Sequence, residues 1–341
     1  MNRAMRPVEI VGGGLAGLSL GLALRRAGVP VTVREAGDYP RQRVCGEFIT
    51  GLSPATVAWL GMKEILAGAR PHREVAWIHR GRVVLRHDLP ATAWAISRYE
   101  LDARLAEAFR RAGGHLVTRI RADATARPGR VNATGRRRTG EPWVGLKRHV
   151  RGLALVCGLE LHLGRHAYVG LCALPGGEVN VCGLFRRQHG PGPGRADALA
   201  GHLRGAGLPE LAGRLAAAET CAGSEAAVAG LAFGRGPDAP GEIALGDAQC
   251  LLPPFFGNGM AAAFQMAQAA LAPLERWARR DAEWDETCAA VRRDLRRRLR
   301  VRTTLGRALH AVLLSPVRQR WLGGLARAGC VPTRLLYATL H

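Results

Sequence analysis

The sequence predicts an α/β fold: a parallel-sheet unit assembled from separate stretches of chain, an antiparallel sheet interleaved with it, and a helical carboxy-terminal region. Three observations predict it. A strand, glycine turn, helix and second strand open the chain between Pro7 and Glu35. Short alternating runs with tight turns lie between Trp143 and Phe185. Leucines at helical spacing dominate after Asp285.

The chain has 341 residues, enough for two domains of about 150 residues or one intertwined unit. Its apolar fraction of 48% and charged fraction of 22% exclude wholesale disorder. No apolar run reaches the roughly 18 uncharged residues of a membrane span. A strand-like run at Val8 to Val11 begins so early that no secretory signal is expected, and a cytoplasmic location follows as the expectation. Basic residues number 49 against 27 acidic ones, a net charge of +22, and only Lys63 and Lys147 are lysines. Such a surface attracts anions. The expected partners are an acidic carrier protein, an anionic membrane surface or a phosphorylated substrate. With 5% aromatics and no zinc-finger or RNA-binding signature, nucleic acid is the weakest of the anionic partners. The eight cysteines form no C-x-x-C pair, so reduced thiols are expected and no metal site.

Val8, Ile10 and Val11 read as a buried strand. Gly12-Gly13-Gly14-Leu15-Ala16-Gly17 then satisfies G-x-G-x-x-G. Gly12 permits the tight turn, Gly14 lets the backbone approach a pyrophosphate, and Gly17 lets helix and strand pack closely. The helix start at Leu15 and Ala16 offers free N–H groups to phosphates. A second strand, Pro30 to Val33, leads to Glu35, placed to accept hydrogen bonds from an adenosine ribose. Together these features are a Rossmann-like dinucleotide signature, and by themselves they do not separate FAD from NAD.

Glu242 to Gly246 reads as a further strand, followed by Asp247 and then by Pro253-Pro254-Phe255-Phe256-Gly257-Asn258-Gly259-Met260 and an alanine-rich helix to about Trp277. A carboxylate at a strand end is placed to hold a polyol hydroxyl. A glycine-flanked helix start can aim N–H groups at developing negative charge. An ordinary strand–loop–helix connection is the plain alternative.

Four stretches now carry a resemblance. They are the glycine turn with Glu35, then Arg43-Val44-Cys45-Gly46-Glu47, then Ser97-Arg98-Tyr99-Glu100-Leu101-Asp102, and finally Gly246-Asp247 through Pro254 to Met260. In this order and spacing the chain resembles the FAD-dependent oxidoreductases of the para-hydroxybenzoate hydroxylase fold, and within them the geranylgeranyl reductase-like branch. The stretch Trp143 to His149 also resembles that branch. The resemblance implies a Rossmann-like FAD-binding domain of the GR2 type interleaved with an antiparallel-sheet substrate domain, plus C-terminal helices. The expected divisions are 1–70, 98–140 and 235–284 for the FAD-binding domain, 71–97 and 141–234 for the substrate domain, and 285–341 for the helices.

By the same resemblance Asp247 binds the ribityl chain, while Pro254, Gly257, Asn258, Gly259 and Met260 meet the isoalloxazine ring. Arg98 lies along the cofactor, and Arg43 and Cys45 sit where flavin meets the substrate cavity. Read without the resemblance, Arg98 opens an amphipathic helix near Glu100 to Ala112, a solvated surface arginine is its plain alternative, and a buried inert thiol is that of Cys45.

The runs Val75 to His79 and Val83 to Arg86 suggest a hairpin. Leu153 to Leu163 alternates as a half-buried strand, and His166 to Cys172 and Glu178 to Phe185 pair through Pro175-Gly176-Gly177. Lys147 and His149 are candidates for proton transfer or anion binding, although no partner for either is identifiable. The plain alternative makes them partly exposed strand ends. Tyr168, Asn180 and Cys182 are candidate cavity residues. The stretch from Gly113 to Arg136 is shorter than the β-meander of the resembled fold and lacks its aspartate. Asp285 to His310 reads as a long basic helix, a docking face or a solvated one.

The expected activity is an FAD-dependent oxidoreductase acting on a hydrophobic small molecule, isoprenoid or polyketide-like, free or carrier-bound. Reduction of an unsaturated bond and monooxygenation both fit, with NAD(P)H as a transient electron donor. Halogenation is not expected, because no tryptophan-bearing halogenase signature is evident. The alternative is a degenerate flavin-fold accessory protein without turnover.

Overall fold

The computed structural model describes residues 4–137, 139–187 and 197–340. Strands and helices are numbered in chain order. The parallel sheet contains β1 (Val8–Val11), β2 (Val31–Arg34), β6 (His115–Val117), β7 (Arg130–Asn132) and β15 (Ile243–Ala244), in the order β15-β7-β1-β2-β6. Val8 and Ile10 of β1 and Val31 and Val33 of β2 point into the interior, as alternate residues of a strand must.

The antiparallel sheet contains β3 (Phe48–Ile49), β4 (Arg70–His79), β5 (Arg82–Ala95), β8 (Trp143–Arg151), β9 (Leu159–Gly164), β10 (Ala167–Ala173), β11 (Val179–Arg186), β12 (Glu219–Thr220) and β13 (Ala226–Ala229). Its main path runs β12-β8-β11-β10-β9-β4-β5-β3, with β13 on β8, and only the β4–β9 pairing is parallel. A small ladder joins β14 (Gly234–Arg235) to β16 (Cys250–Leu251).

The helices are α1 (Leu15–Arg26), α2 (Pro54–Trp59), α3 (Met62–Ile65), α4 (Arg98–Arg111), α5 (Ala198–Gly205), α6 (Pro209–Ala216), α7 (Gly259–Arg279), α8 (Trp284–Leu314), α9 (Pro316–Arg327) and α10 (Thr333–Leu340). Helix α1 is buried from Leu15 through Leu24 because it packs against both α4 and α7. Ser97 caps α4 by accepting from the Glu100 N–H at 3.2 Å. No described helix is long and apolar enough to cross a membrane.

The predicted hairpin of residues 75–86 is present and longer, and so is the basic helix α8. Two expectations are corrected. Residues 153–158 form no strand, and β9, which begins only at Leu159, is buried on both faces rather than half-buried. The alternation of leucines there reflects a turn followed by an interior strand. The helix α10 falls within the helical region expected at 285–341, although its eight residues are not singled out there as a helix of their own. Residues 118–129, between β6 and β7, contain no strand, in keeping with the short stretch read from sequence.

Helix α8 buries Val291, Leu295 and Leu299 on one face and brings His310 into an aromatic cage. The imidazole lies 4.8 Å from the Phe233 ring, 5.3 Å from Trp143, 5.9 Å from Tyr168 and 6.3 Å from Phe255, and neither ring nitrogen has a hydrogen-bond partner. Burial lowers its pKa from the ordinary 6.5 to about 4. Folding therefore favours the neutral ring. That contribution is complete above pH 6.5 and is lost as pH falls from there through about 4. A His310→Phe variant should lose less thermal stability than the parent across this window, read as melting temperature against pH.

Candidate functional site

The glycine turn is shaped by contacts that leave no room for side chains. Gly12 has φ +111°, and a Cβ there would lie 2.1 Å from the Ala133 carbonyl oxygen. A Cβ on Gly17 would lie 2.0 Å from the Gly12 oxygen, so helix and strand touch backbone to backbone. Gly14 differs, since a Cβ there would meet nothing within 4 Å. That open space lies over the start of α1, whose first turn has no side-chain cap. The side chains of Leu15 and Ala16 are buried, so only their backbone faces a ligand.

Glu35 is tied into this turn. One carboxylate oxygen accepts from Gly13 N–H at 2.8 Å, and the other from Gly37 N–H and Arg41, both at 2.9 Å. Tyr39 donates its hydroxyl to the Gly13 carbonyl at 2.5 Å. Arg43 and Arg98, placed only by resemblance, meet on the buried carboxylate of Asp102. Arg98 grips it with two bonds of 2.8 Å, and Arg43 adds a third of 2.8 Å. One Arg43 terminal nitrogen (Nη2) is buried without a hydrogen-bond partner, 3.8 Å from Glu35.

Asp247 sits in a short helical turn after β15, and its carboxyl opens into a large cavity. Burial pushes its pKa up, against the pull of Arg136, Arg98 and Arg43. The turn abuts the start of α1, because a Cβ on Gly246 would lie 3.2 Å from that of Ala16. Helix α7 begins nearby at Gly259, also without a side-chain cap. Two residues expected at the ring direct their side chains elsewhere. Asn258 turns away and donates to the Leu340 carbonyl at 3.2 Å, and Met260 is buried in the interior around the parallel sheet. The space beside Gly257 is filled by the Phe48 ring, 2.1 Å from where a Cβ would stand. Pro254 does line the cavity, and Gly257 and Gly259 lead from it into the free N–H groups of α7.

The cavity is open on one side and spans about 1380 Å³ when the solvent at its mouth is included. Its walls are mostly apolar: Trp77, Leu161, Leu184, Leu231, Phe233 and Phe255 among others. Cys45, Tyr168 and Cys182 line it as expected, and Val331, Leu336 and Tyr337 close one wall from the α10 end. Burial, set against the opposing Arg98 charge, raises the Cys45 pKa, so the thiol stays protonated at neutral pH.

Lys147 and His149 are not strand ends. They are 2% and 3% exposed in the middle of β8, two residues apart and so on one face of the sheet. Their partner is Glu47, which is fully buried. Lys147 reaches one Glu47 oxygen at 2.6 Å and Gln42 at 2.5 Å. His149 Nε2 meets the other oxygen at 2.6 Å, while its Nδ1 lies 3.3 Å from the partly exposed Glu178. The Arg98 N–H donates to Glu47 at 2.8 Å, and the Glu47 N–H to the Cys45 sulfur at 3.4 Å. Asn180 stands opposite His149 in register and donates to the Cys45 carbonyl at 2.9 Å rather than lining the cavity.

Glu47, Asp102 and Gln42 escaped the candidate set. Asp102 was legible as the i+4 partner of Arg98. Glu47 stands two residues after Cys45 within a quoted motif, but its partners lie about a hundred positions away.

No protein-family profile matches the chain. A menaquinone reductase of Mycolicibacterium smegmatis is 33% identical over 102 residues, which are 29% of this chain and 25% of that protein. The match thus spans about a quarter of that relative's length. Among solved structures, the flavin-dependent brominase Bmp2 superposes with a TM-score of 0.77 at 18% identity, covering 98% of this chain and 92% of its own. PqsL of Pseudomonas aeruginosa, described as a probable FAD-dependent monooxygenase, gives 0.71 at 18% identity, covering 94% and 99%. Likeness over nearly the whole length fixes the fold. The chain has the para-hydroxybenzoate hydroxylase-type fold that its motifs implied. None of these three relatives singles out the geranylgeranyl reductase-like branch.

The buried cluster yields a stability test. Glu47→Gln should destabilise the protein by about 3–5 kcal/mol in denaturant unfolding, because the Lys147 ammonium is left unpaired. Adding Lys147→Met should recover most of that loss.

Proposed function

We propose that the protein is an FAD-dependent oxidoreductase acting on a hydrophobic small molecule. The observation that carries this reading is the junction at Gly246 and Ala16. It sets the open start of α1, the Asp247 carboxyl and the apolar cavity in one continuous neighbourhood. The residues present suit the cofactor. Free N–H groups and the Arg43 nitrogen that makes no hydrogen bond would hold the diphosphate, Glu35 the adenosine ribose and Asp247 the ribityl hydroxyls. The Gly257 to Gly259 start of α7 would meet the ring edge.

When bound, FAD supplies hydride or oxygen-activating chemistry at its ring. The apolar lining binds the substrate and keeps water out. Cys45, held as a neutral thiol, presents a proton at its sulfur toward the cavity. Glu47, His149 and Glu178 form a separate chain of ionisable groups running from the buried cluster to the start of β11.

The relatives' names lend support at the level of flavin chemistry: a flavin-dependent brominase, a probable FAD-dependent monooxygenase and a menaquinone reductase. Reduction of an unsaturated bond, as in the geranylgeranyl reductase-like branch, and monooxygenation both remain within the reading, with NAD(P)H as the proposed donor.

The test is a flavin titration. The purified protein should bind FAD and show its yellow absorption, Gly14→Val should abolish that binding, and Asp247→Ala should weaken it. A colourless protein that refuses added FAD would favour the accessory-protein alternative. Anaerobic reduction by NADH or NADPH, followed by oxygen, then separates the two chemistries by the product formed.

A further inference from the structure

The carboxy-terminal end of the chain carries charge of one sign. From Leu295 onward the sequence contains ten arginines and not a single aspartate or glutamate. Helix α9 lies in this stretch. Val317, Trp321 and Leu325, spaced four apart, form a stripe along it and are 62%, 74% and 51% exposed. The stripe is not the face that folds the helix. Gln319, on another face, is 2% exposed and donates to the Gly164 carbonyl at 2.8 Å and the Leu313 carbonyl at 2.5 Å. Arg318 and Arg320 flank the stripe and are exposed. On the neighbouring α10, Leu335 is 66% exposed beside the exposed Arg334, while Leu336 and Tyr337 line the cavity.

We propose that the α9–α10 face docks on an anionic lipid bilayer, with Val317, Trp321 and Leu325 seated among the acyl chains. The arginines would pair with headgroup phosphates, and the cavity wall formed by α10 would face the membrane. Three features select this occupant. An indole flanked by aliphatic residues suits the boundary between headgroups and acyl chains. A helix with an apolar stripe and arginines beside it lies in that plane. The basic charge is spread along α8, α9 and α10 rather than gathered at one point, which matches a fluid anionic surface. The inference stands apart from the flavin reading, since docking needs no cofactor.

The experiment is co-sedimentation of the full chain with vesicles of phosphatidylcholine alone and of phosphatidylcholine mixed equally with phosphatidylglycerol. Binding should be confined to the anionic vesicles, weaken as salt is raised, and shift tryptophan emission to the blue. Trp321→Ser with Leu325→Ser should weaken partitioning about tenfold or more and remove most of that shift. Arg318→Gln with Arg320→Gln should reduce the preference for anionic vesicles. Circular dichroism and flavin content serve as controls for folding. Equal binding to both vesicle types, binding to neither, or unchanged partitioning of the Trp321 and Leu325 variant would overturn the proposal. A concentration-dependent dimer abolished by that variant would assign the stripe to a second copy. Capture of an acidic carrier protein without vesicle binding would assign it to that protein.

Discussion

The arrangement of the two sheets depends on one carboxylate with no access to water. Glu47 lies on the segment leading from the glycine-turn unit into β3, and it adopts φ 60°, which a side chain rarely favours. Its oxygens are shared among Lys147 and His149 of β8 and the first N–H of α4. The contacts come from two separate parts of the fold, β8 and the start of α4. Taking these charges out of water is costly, and their attraction offsets that cost only when the geometry is close. A slip of β8 by one residue would turn Lys147 and His149 to the opposite face and leave the carboxylate stranded. The interaction thus fixes how the antiparallel sheet sits against the start of α4, and hence where Cys45 faces the cavity.

Much of the parallel unit was legible because its determinants are local. Strand, glycine turn, helix and acid lie within Pro7 to Glu35, and each glycine has a distinct steric task over a few ångströms. Arg98 and Asp102 are one helical turn apart, so their pairing could also be read. The rest was hidden by distance along the chain. Nothing near Lys147 indicates that its counter-charge is Glu47, a hundred positions earlier. Alternation at Leu153 to Leu163 could not distinguish a turn plus an interior strand from a half-buried strand, since the residue types are the same. Resemblance pointed to Asn258 and Met260 as ring contacts. Their side chains were drawn elsewhere by a C-terminal carbonyl and by interior packing that motif spacing cannot register.

The cavity and the charged surface show how differently the two kinds of information travel. A lining of Leu, Trp and Phe supplied by β4, β9, β11 and the residues before α7 emerges only when those strands are set side by side. The arginine excess is visible at once in composition, yet composition does not say where it falls. Close to half of the net charge, ten arginines without one acid from Leu295 onward, falls on the C-terminal helices, of which α10 adjoins the apolar chamber.

The bond between Asn258 and the Leu340 carbonyl ties the last helix to the residue before α7. Asn258 is also the residue that opens α7, so the last helix and the α7 start share this contact. Displacing α10 would break that bond and leave the Asn258 amide, whose oxygen is already buried without a hydrogen-bond partner, unsatisfied.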